Sequence, residues 1–70
     1  MKKILILYWS CRTLIPELKH DAEFEYSQEK VNEVVQTVLA NDLNVMLINN
    51  SGEKKDMLYI YIDERKFRQY

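Results

Sequence analysis

The chain is short of the residues that usually staple a small protein together. It has 70 residues and one cysteine, Cys11, so no disulfide can form within it. Cys11 and His20 are the only soft metal ligands, whereas a structural zinc site needs about four ligands. A single domain of this length, 1–70, buries roughly 60% of its unfolded surface and is marginally stable alone. Self-association is the means of stabilisation that remains.

Glycine, net charge and long apolar runs are also scarce, and each shortage argues against a class of function. The single glycine is Gly52, so the loop after residues 3–9 has no glycine with which to wrap a phosphate. A formal net charge of −1 gives no general attraction to nucleic acid or anionic membrane. The apolar run at 4–9 is too short to span a bilayer or to form a signal peptide. We therefore expect a cytoplasmic protein with no cofactor.

Four segments have the patterns of β-strands. Residues 3–9, 44–49 and 57–63 are apolar on both faces, and a continuous run such as 3–9 is typical of a central strand. Residues 22–26 alternate between apolar and acidic side chains, which predicts a short edge strand. The polar turn around Gly52 predicts an antiparallel hairpin between the last two strands.

One helix is predicted over residues 28–40. Its apolar positions recur at helical spacing and form a single stripe: Val31, Val34, Val35, Val38 and Leu39. Ser27 is a good N-cap, and Asn41 can end the helix in left-handed geometry. The order β-β-α-β-β predicts an α+β fold with three or four mostly antiparallel strands and one helix on one face. The conformations of residues 10–21 and 64–70 are left open.

A single helix can cover only one face of such a sheet. The other face would expose some of a set of apolar residues, namely Leu5, Leu7, Trp9, Val45, Leu47, Met57, Tyr59 and Tyr61. A patch of that size exceeds what soluble monomers usually show. Three alternatives remain for what covers this second face of the sheet: the chain's own residues 10–21 and 64–70, a second copy of the chain, or a foreign partner or ligand.

Candidate chemistry is sparse, and its ordinary interpretation is structural. Cys11 and His20 resemble a nucleophile and base only in residue type, and His20 with Asp21 and Glu23 lies too close in sequence to form a convincing metal site. Basic residues cluster in the turn and tail, which suggests a solvated surface, an anion site or pairing between subunits. The residues that we single out for ligand or partner binding are Trp9, Cys11, Arg12, Tyr59, Tyr61, Arg65 and Arg68.

These features favour a binding protein over an enzyme. We expect a homodimer or tetramer that forms through the sheet and engages a macromolecular partner, as an accessory or inhibitor protein of a phage or mobile element would by analogy. The alternative is an oligomer that binds a small anion, such as a nucleotide, between subunits near Trp9–Arg12 and Tyr59–Arg68.

Overall fold

A computed structural model describes residues 2–10, 12–50 and 56–64 of the chain, and they form the predicted order of elements. The strands are β1 (Lys3–Tyr8), β2 (Glu23–Glu25), β3 (Asn44–Asn50) and β4 (Met57–Asp63). The helix α1 (Gln28–Ala40) lies between β2 and β3 in the sequence. The predicted α+β fold, with one helix and a short second strand, is confirmed.

The four strands form one mixed sheet in the order β2-β1-β4-β3. The β1–β2 and β3–β4 pairs are antiparallel, and the central β1–β4 pair is parallel. The hairpin predicted between the last two strands is therefore present, and the run at 3–9 supplies a central strand. Each central strand has a neighbouring strand on both edges. It is also apolar on both faces, the one that packs against α1 and the one on the opposite side of the sheet.

The core lies between the sheet and α1. Alternate residues of the two central strands point to the helix and are at most 6% exposed: Ile4, Ile6, Tyr8, Leu58, Ile60 and Ile62. Val31, Val34 and Val38 of α1 pack against them, each at most 6% exposed. Burial of this valine stripe compensates for the low helix propensity of β-branched residues.

Both ends of α1 lie where the sequence predicts them, but the capping geometry agrees with the prediction only at the N-terminus. Ser27 is the N-cap, and its hydroxyl accepts a hydrogen bond from the Lys30 N–H at 3.0 Å. The prediction of left-handed geometry at Asn41 is wrong, because its φ is −94°. Its side-chain amide instead donates to the Thr37 carbonyl at 2.8 Å, and Asp42 takes the left-handed conformation with φ of 61°. Aspartate tolerates this geometry better than most residues.

The loop after β1 packs on the helix side of the sheet. The Tyr8 hydroxyl, on the core face, donates to the Leu18 carbonyl and accepts from the Ile15 N–H at 3.3 Å. Ile15 and Leu18 are 1% and 4% exposed and belong to the core. A buried hydroxyl needs hydrogen-bond partners, and the loop backbone supplies them. These loop residues therefore cannot cover the opposite face of the sheet. The expectation that residues 10–21 of the same chain could cover that face is wrong for Ile15 and Leu18. Residues 65–70, the other segment expected to cover it, lie outside the described residues.

Candidate interaction surface

The face of the sheet opposite α1, here called the open face, is fixed by the strand register. Residues paired directly across strands share a face, so Leu5 lies beside Tyr59, and Leu7 beside Tyr61. On the other side of β4, Met46 lies beside Tyr61, and Ile48 beside Tyr59. The apolar residues of the open face are thus Leu5, Leu7, Trp9, Met46, Ile48, Met57, Tyr59 and Tyr61.

The register corrects the sequence analysis for β3. Val45 and Leu47 pair with Ile62 and Ile60, so they lie on the helix side. Met46 and Ile48 lie on the open face instead of Val45 and Leu47. Alternation divides the residues of β3 into two sets that point to opposite faces. Because both sets are apolar, the alternation does not show which set faces the helix. The pairing partner decides which face is which, and the sequence does not give that partner.

The open face presents a broad apolar surface. Trp9, Met46 and Ile48 are 62%, 45% and 41% exposed, and the other members of the face are half-buried. Charged residues lie at its borders: Lys3, Glu23, Glu25 and Asp63. An uncharged centre with a polar border is the usual anatomy of a protein interface.

Three aromatic rings lie together on this face, and we call them the aromatic cluster. The ring centroids of Trp9 and Tyr61 are 6.3 Å apart with an interplanar angle of 64°. Those of Tyr59 and Tyr61 are 6.5 Å apart at 75°. These edge-to-face contacts are favourable and orient the three rings relative to one another. The Asn50 side-chain amide also donates to the Tyr59 hydroxyl at 3.1 Å.

A shallow pocket of about 410 Å³ opens beside the aromatic cluster. Its walls are formed by Leu7, Tyr8, Trp9, His20 and Tyr61. Apolar and aromatic groups therefore dominate the pocket, and the His20 imidazole adds a polar ring to its wall. This composition suits a flat or ring-shaped apolar group better than a charged one.

His20 has a structural role at the edge of the sheet. Its Nδ1 accepts a hydrogen bond from the Tyr8 N–H at 3.1 Å, so the neutral ring carries its proton on Nε2. Tyr8 lies beyond the last β1–β2 pair, so no carbonyl of β2 accepts its N–H. The His20 imidazole accepts that hydrogen bond instead. The His20 N–H donates to the Thr13 hydroxyl at 3.0 Å, which fixes the loop beside it.

The structure brings together some of the predicted binding residues. Trp9, Tyr59 and Tyr61 form the aromatic cluster. Arg12 is exposed, and its guanidinium donates to both carboxylate oxygens of Glu64 at 3.4 and 3.3 Å, so part of its charge is already balanced. The predictions for Cys11, Arg65 and Arg68 lie outside the described residues, as does most of the basic cluster.

The candidate catalytic and metal groups give no assembled centre among residues 2–10, 12–50 and 56–64. His20 Nε2 lies 3.6 Å from the Asp21 carboxylate. Within these ranges no three His, Cys, Asp or Glu side chains converge as metal ligands would. One member of the candidate Cys11–His20 pair, Cys11, lies outside the described residues.

The Tyr8 hydroxyl, a buried polar group that is hydrogen-bonded to the loop backbone, was not among the residues singled out from the sequence. Desolvation by burial raises the pKa of Tyr8, and the hydrogen bonds from the loop backbone oppose that shift. A tyrosine at the third core position of a strand, followed by a loop rich in leucine and isoleucine, was the available signal.

Comparison with protein-family models, with curated proteins and with solved structures found no match to this chain. In the described part of the chain, no helix has the length and apolar character needed to cross a membrane.

Proposed function

We propose that the protein is a non-enzymatic binding protein that self-associates through its open face and engages a protein partner as that assembly. The observation that carries the proposal is the apolar, aromatic open face of a sheet whose other face already packs against α1 and the 12–18 loop. A second copy of the chain is the occupant to which we commit.

The size of the open face supports this occupant. The four strands have six, three, seven and seven residues. At about 3.3 Å per residue and about 4.8 Å between strands, they give a face of about 360 Å². Two copies stacked face to face would bury about 700 Å² in total, worth at most about 18 kcal/mol at 25 cal/mol per Å². This exceeds the cost of association, about 4–15 kcal/mol.

The chemistry of the open face is also suited to pairing with itself. A two-fold axis places the same patch of each copy against the other, so an apolar centre meets an apolar centre. The charged border residues, which are costly to bury, would remain in contact with water. Trp9 and the tyrosines add large, rigid contact areas, with polar atoms that can stay hydrated.

The preference for a binding role over catalysis has separate support. The ring nitrogen that a catalytic histidine would use as a base is occupied by the Tyr8 N–H. The guanidinium of Arg12, which is the candidate anion-binding arginine within the described residues, is engaged by Glu64. A protein is the favoured partner because a net charge of −1 offers no general attraction to nucleic acid. An accessory role in a phage or mobile element stays a prediction made by analogy.

Sedimentation equilibrium over a micromolar concentration series tests the proposal. We expect the full chain to assemble, and Trp9→Lys to weaken assembly by tenfold or more, because a charge would be buried in the interface. Gln36→Lys, which adds the same charge on the exposed outer side of α1, is the matched control and should assemble normally. A full chain that sediments as a single copy throughout would overturn the proposal.

The second candidate function is binding of a small anionic ligand, such as a nucleotide, at the subunit interface. The pocket that Trp9 and Tyr61 line supports the base of such a ligand rather than its charge, because aromatic rings stack well on bases. A thermal-shift screen with nucleotides tests it. A ligand at a hundred times its dissociation constant adds about 2.7 kcal/mol of stability. No shift with any nucleotide would leave the protein-partner function alone.

A further inference from the structure

The outer strand β3 carries an unusual concentration of exposed apolar residues. Among the described residues, the large hydrophobic side chains that are exposed are Trp9, Leu39, Met46, Leu47 and Ile48. Three of these are consecutive in β3, so they point alternately to the open face and to the helix side. Stacking on the open face would cover Met46 and Ile48 but would leave Leu47 exposed. Pairing along the edge of the strand covers both sides.

The two outer strands of the sheet differ in how they are protected. The strand β2 has three residues, and two of them are Glu23 and Glu25. The strand β3 has seven residues, N-V-M-L-I-N-N, with no charge, proline or glycine. Natural proteins protect edge strands with short length, charges or proline, and β3 has none of these devices. In the described part of the chain, β3 has a neighbouring strand on one side only.

Leu39 extends the same apolar edge on the helix side. The Lys30 ammonium lies 4.2 Å from the ring centroid of Phe24 in β2, so that flank of α1 faces β2. Leu39 is nine residues further along. At 100° per residue it lies on the opposite flank, toward β3, against which α1 packs. Leu39 is 56% exposed, and it therefore borders β3 together with Leu47.

We propose that β3 pairs antiparallel with β3 of a second copy, so that two four-stranded sheets join into one of eight strands. The proposal deepens the proposed function, since it adds a second surface to the same self-association. A two-fold axis through Leu47 pairs all seven residues of Asn44–Asn50 with their counterparts. A shift by one residue would turn each side chain to the wrong face, and a shift by two would lose paired positions.

The chemistry of β3 is self-complementary in this register. Leu47 meets its own copy, and Met46 lies opposite Ile48 of the second copy. Asn44 lies opposite Asn50, so that amide groups face one another at the ends of the pair. An antiparallel pair of seven residues forms three or four hydrogen-bonded pairs, or about six to eight backbone hydrogen bonds.

The area of the assembly also favours edge pairing. The open face of one chain gives a stacked pair of about 700 Å², below the roughly 1,000 Å² expected of a stable interface. Edge pairing keeps both helices on one side and doubles the continuous open face. Two eight-stranded sheets stacked on those faces would bury about 1,400 Å², within the standard size range. The two interfaces together define a closed tetramer.

A second copy fits this edge better than a foreign peptide strand. A lone strand would cover Leu47 and its neighbours in β3 but would bring no helix to cover Leu39. A second copy brings its own α1 to the seam, with its own Leu39 on the flank that faces the partner. The seam is thereby covered on both sides of the sheet.

Sedimentation equilibrium of three variants separates this inference from the open-face proposal. The wild-type chain should have four times the 8.5 kDa monomer mass. Leu47→Lys, which places a charge at the edge and leaves the open face unchanged, should reduce the mass to two chains or fewer. Trp9→Lys should leave edge-paired dimers. Gln36→Lys, the control, should behave as the wild type.

Other outcomes assign the failure to one interface. A wild-type dimer that Trp9→Lys dissociates and Leu47→Lys does not would overturn edge pairing and retain the open-face interface. A wild-type dimer that Leu47→Lys dissociates and Trp9→Lys does not would retain edge pairing and overturn the open-face interface. A wild-type chain of monomer mass would overturn both.

Cysteine crosslinking tests the register directly. In a Cys11→Ser background, Leu47→Cys should place two Cβ atoms about 4.5–5.5 Å apart across the two-fold axis. That is close to the roughly 3.5–4.5 Å of a disulfide, so mild oxidation should yield a covalent dimer. Gln36→Cys in the same background is the control and should stay uncrosslinked. Equal crosslinking of the two variants would overturn the proposed pairing.

Discussion

The hydroxyl of Tyr8 holds the loop after β1 against the core, and Tyr8→Phe isolates that contribution. Phenylalanine fills almost the same volume, so no cavity is created in the core. The change removes a donor to the Leu18 carbonyl and an acceptor for the Ile15 N–H, both in buried surroundings. Each buried backbone group left without its partner costs about 1–3 kcal/mol. For the two groups together we expect a loss of about 2–6 kcal/mol in the free energy of unfolding.

That loss would be large for a chain of this size. At about 0.05–0.15 kcal/mol per residue, the whole free energy of unfolding is about 4–10 kcal/mol. Urea denaturation at one fixed protein concentration, followed by circular dichroism, measures it. Tyr26→Phe is the matched control, because within the described residues the Tyr26 hydroxyl donates to the exposed Gln28 side chain, at 3.5 Å, and not to a buried backbone group. A Tyr8→Phe midpoint indistinguishable from that of Tyr26→Phe would refute the anchoring role.

The same residue predicts a dependence on pH. Burial raises the pKa of Tyr8 above its ordinary value of 10.0, so the folded state keeps the proton that the unfolded chain releases. This contribution to stability is complete below pH 10 and is lost as the pH rises through the raised pKa. The alkaline loss of stability should therefore be smaller in Tyr8→Phe than in the wild type. An identical alkaline profile for the two proteins would contradict this.

Three further substitutions test local features of the structure by urea denaturation. Ser27→Ala removes the N-cap of α1 and should cost about 1 kcal/mol; no loss would show that the cap is not needed. His20→Leu leaves the Tyr8 N–H without its acceptor and should cost about 1–3 kcal/mol, whereas His20→Asn, whose side-chain oxygen can replace Nδ1, should lose less. Equal losses would contradict the hydrogen bond. Arg12→Ser breaks the exposed pair with Glu64 and should change stability by less than about 1 kcal/mol, so a larger loss would refute a surface role.

Local patterns predicted the elements of this fold well. The valine stripe, with Ser27 before it, gave α1 its bounds because helix periodicity and capping are properties of adjacent residues. The alternation of residues 22–26 predicted the short edge strand for the same reason. The run at 3–9 indicated a central strand, since only a strand covered on both faces is apolar throughout.

Features that depend on contacts between distant segments were harder to predict. The side of the sheet on which Val45 lies is decided by its partner Ile62 in the next strand. The position of the loop depends on Tyr8, seven residues before Ile15, whose hydroxyl draws the loop to the helix side. The candidate surface was foreseen in part, because the aromatic cluster lies on alternate positions of two strands, but its β3 members depended on the register.

The lone tryptophan of the chain tests most directly whether the open face is covered in solution. Trp9 is 62% exposed in a single copy, so acrylamide would quench its fluorescence almost as efficiently as in the chain unfolded by urea. Our account predicts that the native protein at micromolar concentration is quenched several-fold less than the unfolded chain. Quenching of native Trp9 at close to the unfolded value would show that no copy covers the open face and would contradict the account.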